Sequence, residues 1–187
     1  MQIEKTPIDG VRIVKPDIYR DRRGYFIETY QCRRYEQIGI DVDFVQDNVS
    51  WSVRGALRGL HFQRTRPQAK LVSVLFGEIF AVAVDIRPDS SSFGRWVGAR
   101  LTAEEGRQVF IAEGFAHGFC VLSLRALVHY KCSDIYVPED EGGILWSDED
   151  IGIQWPVTNP LVSAKDRSYP RLGQLGSTDL PSVEILR

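Results

Sequence analysis

The chain has 187 residues, 43% of them hydrophobic and 26% charged, with 23 basic against 25 acidic side chains for a formal net charge of −2. That is the make-up of one globular domain, which excludes a disordered chain and a strongly basic module built for nucleic acid or a membrane surface. Three scattered cysteines (Cys32, Cys120 and Cys132) exclude a disulfide scaffold. No apolar run approaches the roughly 20 residues that cross a bilayer, and no leader pattern opens the chain, so a cytoplasmic setting without membrane partners is expected.

Residues 30–39 form the best helix candidate, about two to three turns stopping at Gly39. Residues 71–76 and 79–86, separated by Gly77 and Glu78, read as a β-hairpin, because a glycine at the first central position suits a type II′ turn. Short β-rich runs continue at 95–101, 108–112, 118–122 and 127–137, with a single turn at 102–106. Such regular punctuation predicts a sandwich or small barrel rather than βαβ units. Beyond Pro156 the chain turns rich in Pro, Ser and Gly. Residues 173–187 are expected to be a loosely held tail on a domain spanning 1–172.

Strand parity assigns faces. In the strand at 79–86, Phe80, Val82, Val84 and Ile86 share a bulky face, while Ile79, Ala81, Ala83 and Asp85 share one that leaves space. Lys70 has the parity of Val72 and Val74, an unexpected place for a cation. Val128, Tyr130 and Cys132 share one face of the next strand, and His129 points the other way. Arg58, His61 and Gln63 interrupt an apolar strand. Strict alternation puts Arg58 and His61 on opposite faces, unless Gly59 hosts a bulge that reunites them.

The run Gly114-Phe-Ala-His117 has the Gly-x-x-His spacing of the second cupin motif. Only three histidines exist, however, and His61-Phe62-Gln63 stands where a metal-binding His-x-His would, so no metal site is expected. Tyr130 is either packing or a proton donor. Lys165 and Asp166 are either a solvated turn or, for Asp166, a carboxylate that orients a histidine. Arg20, Arg22 and Arg23 are either a solvated loop or a phosphate clamp. No dinucleotide fingerprint, Walker loop or nucleophile elbow is present.

Ten segments taken in order then carry a resemblance. They are Arg23-Gly24, Phe44-Val-Gln-Asp-Asn48, Leu57-Arg-Gly-Leu-His-Phe-Gln63, Lys70-Leu-Val72, Val82-Ala-Val-Asp-Ile-Arg87, Gly114-Phe-Ala-His-Gly-Phe119, Tyr130-Lys131, Ile144-Leu-Trp146, Ile153-Gln-Trp-Pro156 and Leu161-Val-Ser-Ala-Lys-Asp166. Over about residues 3–170 the chain resembles the dTDP-4-dehydrorhamnose 3,5-epimerase family. The resemblance implies a mainly β, cupin-like double-stranded β-helix (jelly-roll) barrel with a few short helices, and no cofactor. It places the catalytic base on His61, its carboxylate partner on Asp166, the acid on Tyr130, and the lysine facing the sugar carbonyl on Lys70. Nucleotide and sugar contacts fall on Arg23, Glu28, Gln46, Asp47, Asn48, Arg58, His117, Glu141 and Lys165, with Tyr136 stacking on thymine. It also implies a homodimer in which an N-terminal strand crosses to the partner and completes its pocket. One departure is Ala81, where many members carry an acidic residue.

The residue types suit inversion beside a ketone. A 4-keto group acidifies the C3 and C5 protons. A histidine takes the proton, a lysine stabilises the enolate, and a tyrosine returns a proton to the opposite face. The implied substrate is dTDP-4-keto-6-deoxy-D-glucose and the product dTDP-4-keto-L-rhamnose. The alternatives are a mono-epimerase of a related 4-keto sugar nucleotide, a metal-dependent cupin enzyme, and a sugar-nucleotide-binding cupin without activity.

Overall fold

The structure is a computed structural model that describes residues 1–181. In chain order it places β1 (Gln2–Lys5), β2 (Val11–Lys15), β3 (Ile18–Asp21), β4 (Gly24–Ile27), α1 (Cys32–Gln37), β5 (Gln46–Val53), β6 (Ala56–Gln63), β7 (Lys70–Phe76) and β8 (Glu78–Asp85). There follow β9 (Trp96–Thr102), β10 (Gln108–Ile111), β11 (Phe115–Val121), β12 (Arg125–Cys132), β13 (Glu141–Gly143), β14 (Leu161–Val162) and α2 (Ala164–Arg167). One sheet runs β1-β2-β10-β7-β12-β5. The facing sheet runs β13-β6-β11-β8-β9, with the two-residue β14 parallel to the start of β6. This is the cupin-like jelly roll that the resemblance implies, and a sandwich of the kind that the strand punctuation predicts.

The expected hairpin at 71–86 does not form. β7 lies in the first sheet, between β10 and β12, whereas β8 lies in the second, between β11 and β9. Gly77 (φ +80°) carries the chain across, and a Cβ there would meet the Arg125 carbonyl oxygen at 2.1 Å. The reason is packing. Val72 and Val74 of β7 meet Ile79, Ala81 and Ala83 of β8 across the interior, together with Val109 and Val128. Facing each other removes more apolar surface from water than lying edge to edge, at about 25 cal/mol per Å².

The bulky face of β8 is buried too. Val82, Val84 and Ile86 pack with Leu60 under Ile144, Ile151, Leu172 and Leu180. Residues 173–181 are therefore not a loose tail. They form two 3-10 turns at Leu172–Gln174 and Ser177–Asp179, and Leu180 is 8% exposed. The rest of the predicted tail lies outside the described residues. Helix α1 is shorter than the predicted 30–39. The Gln31 side chain caps it by accepting from Arg34 N at 2.6 Å, and Gly39 (φ +82°) ends it.

The strand expected at 127–137 stops at Cys132, and the following loop is pinned from two sides. Gln63 Nε2 donates to Ile135 O at 3.1 Å, Val137 N donates to Gln63 Oε1 at 2.7 Å, and Tyr136 N donates to Gln46 Oε1 at 2.8 Å.

Candidate active site

β6 does bulge at Gly59. Against β11, Phe119 pairs with Arg58 and His117 pairs with His61, so three residue steps on β6 match two on its neighbour. Gly59 has φ +124°, and a Cβ there would lie 2.6 Å from Gly118 Cα. Only glycine fits, and the extra residue turns Arg58 and His61 to the same side. Both line a cleft of about 670 Å³. The second sheet supplies Arg58, His61 and His117, and the first supplies Lys70 and Tyr130. The stretch after β12 adds Tyr136, Glu141, Lys165 and Asp166.

Asp166 arrives on α2, whose Ser163 N-cap accepts from Asp166 N at 3.0 Å. Its carboxylate accepts from His61 Nε2 at 2.8 Å and from Gly59 N at 3.2 Å. Burial alone would raise this carboxyl, but its hydrogen bond and charge pairing with His61 hold it below the ordinary value. An ionised Asp166 fixes the His61 tautomer with the proton on Nε2, which leaves Nδ1 as the free base. Glu141 Oε1 stands 3.9 Å from Nδ1. Glu141 Oε2 also accepts from Tyr136 OH at 2.7 Å and pairs closely with Lys165. Burial opposes ionisation of Glu141, and the bonds from Lys165 and Tyr136 overcome it, leaving its carboxyl below the usual range.

Burial draws the Lys70 ammonium below the ordinary lysine value, against the opposing pull of Cys132 and Glu141. Burial, then the charges of Lys70 and His61, hold His117 well below its ordinary value, and His117 Nε2 has no hydrogen-bond partner among the described residues. A neutral ring with an unpaired nitrogen is thus kept beside a cation. Burial pushes the Tyr130 hydroxyl up, so it stays protonated and able to donate. His129 points away, as parity predicts, and meets Asp47 at 3.3 Å on the outer face.

A family model described as dTDP-4-dehydrorhamnose 3,5-epimerase matches residues 5–174. The chain belongs to this family. A dTDP-4-dehydrorhamnose 3,5-epimerase of Methanothermobacter thermautotrophicus is 53% identical over 171 residues, 90% of this chain and 92% of that protein. The crystal structure of an epimerase from Legionella pneumophila in complex with dTDP-4-keto-L-rhamnose superposes with a TM-score of 0.95 at 48% identity, covering 98% of each chain. A dTDP-4-dehydrorhamnose 3-epimerase of Streptomyces niveus is 39% identical over 169 residues, 89% of this chain and 82% of that one. Members of the family are epimerases, and this chain is an isomerase of that class.

Not every residue expected at the family's site reaches this cleft. Arg23 sits on the β3–β4 hairpin, its side chain 86% exposed and paired with Asp21 at 2.6 Å. Glu28 pairs with Arg34 at 2.7 Å. Asp47 faces outward and accepts from Lys131 at 2.7 Å, because odd positions of β5 lie on the outer face. Gln46 and Asn48 face inward, joined by a 3.0 Å hydrogen bond, and Asn48 borders a smaller chamber that adjoins the cleft. Ala81 is buried in the apolar interior opposite Phe119, and only Phe119 of the pair lines the cleft. Two lining residues, Ser50 on an edge strand and Ser163 as a helix cap, carry no sequence signal of their own.

The depressed His117 value gives a stability prediction. Its folded pKa lies below the unfolded 6.5, so the unfolded chain binds the proton first as pH drops. The contribution is complete above pH 6.5 and is lost as pH falls towards the folded value. The melting temperature of the wild type should decline over that interval, and His117→Asn should flatten the decline. An equal slope in both proteins would contradict a buried neutral His117.

Proposed function

We propose that the chain inverts C3 and C5 of dTDP-4-keto-6-deoxy-D-glucose to give dTDP-4-keto-L-rhamnose. The observation that carries this reading is the placement of His61 on one sheet and Tyr130 on the facing sheet, both lining one cleft with Lys70 and His117 beside them. His61 Nδ1 takes the proton from the carbon next to the ketone. The electrons of the broken C–H bond move into the enolate, whose oxygen Lys70 and the neutral His117 stabilise. Tyr130 then delivers a proton to the opposite face of the same carbon. Asp166 holds the imidazolium until its proton is discharged to solvent, and the Tyr130 phenolate takes a proton back from solvent, which restores both groups. Arg58, Tyr136, Glu141 and Lys165 at the mouth suit a diphosphate, a base and sugar hydroxyls.

Coupling the reaction to a 4-ketoreductase and determining the configuration of the trapped sugar tests the substrate and product together. L-rhamnose on dTDP supports the reading. The likeness to the Streptomyces niveus 3-epimerase favours a second reading, in which the trapped sugar is inverted at C3 alone.

The active unit in this proposal is a homodimer, working in the cytoplasm. Among the described residues, no helix is long and apolar enough to cross a membrane. The outer face of the first sheet exposes Val49 (62%) and Trp51, which stacks on the exposed Phe76 at 5.9 Å. The β3–β4 hairpin exposes Tyr19 and Phe26 at 60% and 66%. Apolar surface of this kind suits a second copy, whose cleft Arg23 and Glu28 would then complete. Mixed and reassociated Arg23→Ala and His61→Asn proteins should recover up to roughly a quarter of wild-type activity, because a two-fold heterodimer keeps one intact site. A mixture no more active than its components would contradict donation in trans.

A further inference from the structure

Tyr169 lies just after α2 and does not line the cleft. Its ring packs at 69° against the His61 imidazole, with centroids 5.8 Å apart. The space it occupies is left by Gly143, the residue paired with His61 across the β13–β6 ladder. A Cβ on Gly143 would lie 2.3 Å from two atoms of the Tyr169 ring. In an antiparallel pair, the residue opposite a side chain is its closest cross-strand neighbour. Here that neighbour has been replaced by an aromatic ring from another segment. The segment is itself anchored, since Leu145 N donates to Pro170 O at 2.8 Å. α2 and the turn after it thus present two groups to one imidazole: the Asp166 carboxylate at Nε2 and the Tyr169 ring against its side.

The Tyr169 hydroxyl is buried without a hydrogen-bond partner among the described residues, and burial pushes it up to about 12. It carries no charge at neutral pH, and Glu141 and Lys165 act on it with opposing charges. What the residue sets against His61 is its ring.

We propose that Tyr169 is a positioning residue for the epimerase reaction, its ring seated on Gly143 to fix the tilt of His61 so that Nδ1 faces the substrate. A single hydrogen bond at Nε2 stops the imidazole from flipping but leaves it free to rock about that contact. A packed ring removes the rocking and keeps water from the His61–Asp166 bond. This rests on His61 being the base.

Tyr169→Phe, Tyr169→Ala, Gly143→Ala and His61→Asn are assayed together on dTDP-4-keto-6-deoxy-D-glucose. Tyr169→Ala should lower kcat by roughly 10- to 100-fold with KM within about twofold, the pattern of a misaimed catalytic group. Tyr169→Phe should keep at least half of wild-type kcat. Gly143→Ala, which displaces the ring, should resemble Tyr169→Ala. Melting temperatures identify any variant that fails to fold, and the Phe variant keeps the test decisive in that event. Wild-type kcat in Tyr169→Ala beside an inactive His61→Asn overturns the positioning role. A Tyr169→Phe enzyme as slow as Tyr169→Ala also overturns it, by assigning the effect to the hydroxyl. An active His61→Asn overturns the base assignment instead.

Discussion

Replacing His61 with Asn lowers kcat by on the order of 10³–10⁴-fold, close to the upper end of what a positioned general base contributes. Asn is near histidine in size and polar, so the cleft keeps its shape while the basic nitrogen is lost. The buried Asp166, 4% exposed, loses its His61 hydrogen-bond donor, and a modest drop in melting temperature accompanies the kinetic effect. The decisive readout is solvent exchange. Without the base, neither C3 nor C5 of the substrate takes up deuterium from D₂O, whereas loss of binding alone would raise KM and leave exchange intact at saturation. Exchange at the wild-type rate in His61→Asn would mean that another group removes the proton.

Tyr130→Phe gives the second large effect, and of a different kind. The ring that packs in β12 remains, and only the hydroxyl is removed. Because burial raises that hydroxyl above its ordinary value, it is a full proton donor at neutral pH, and nothing else on the first sheet at that position replaces it. Proton removal by His61 survives, so deuterium still enters at C3 with retention. Formation of the inverted product falls by about 10²-fold or more. A Tyr130→Phe enzyme that makes inverted sugar at the wild-type rate would end the assignment of Tyr130 as the acid. The two variants together separate abstraction from delivery, the division of labour that two facing sheets make possible.

Parity and glycine chemistry make the lining of the cleft legible. Lys70 stands out because it keeps step with Val72 and Val74. The sequence shows Tyr130 and His129 on opposite faces, and in the structure Tyr130 lines the cleft while His129 meets Asp47 outside. Gly59 was the one residue able to reunite Arg58 and His61, and the bulge is there. What sequence reasoning missed follows the opposite logic. β5 alternates less exposed polar residues (Asn48, Ser50, Ser52) with exposed apolar ones (Val49, Trp51, Val53), and its Val49–Trp51 stretch edges the cleft. That inverts the usual amphipathic signal, so the segment does not read as a strand. The hairpin at Gly77 failed because a tight glycine turn serves a crossing between sheets as well as a turn within one. Only packing across the sandwich decides between them. Arg23 and Glu28 match the family pattern in sequence, but in the structure they sit on or beside the β3–β4 hairpin, paired with Asp21 and Arg34. Tyr169 left no mark at all, since an aromatic residue in a turn reads as packing until Gly143 is seen beneath it.

The most direct test is the reaction of the wild-type protein with dTDP-4-keto-6-deoxy-D-glucose in D₂O, with a chelator present and C3 and C5 followed by NMR. Deuterium at both carbons, each in the inverted configuration, is the result expected of one base and one acid acting from facing sheets. Deuterium at one carbon only, or at neither, would contradict it.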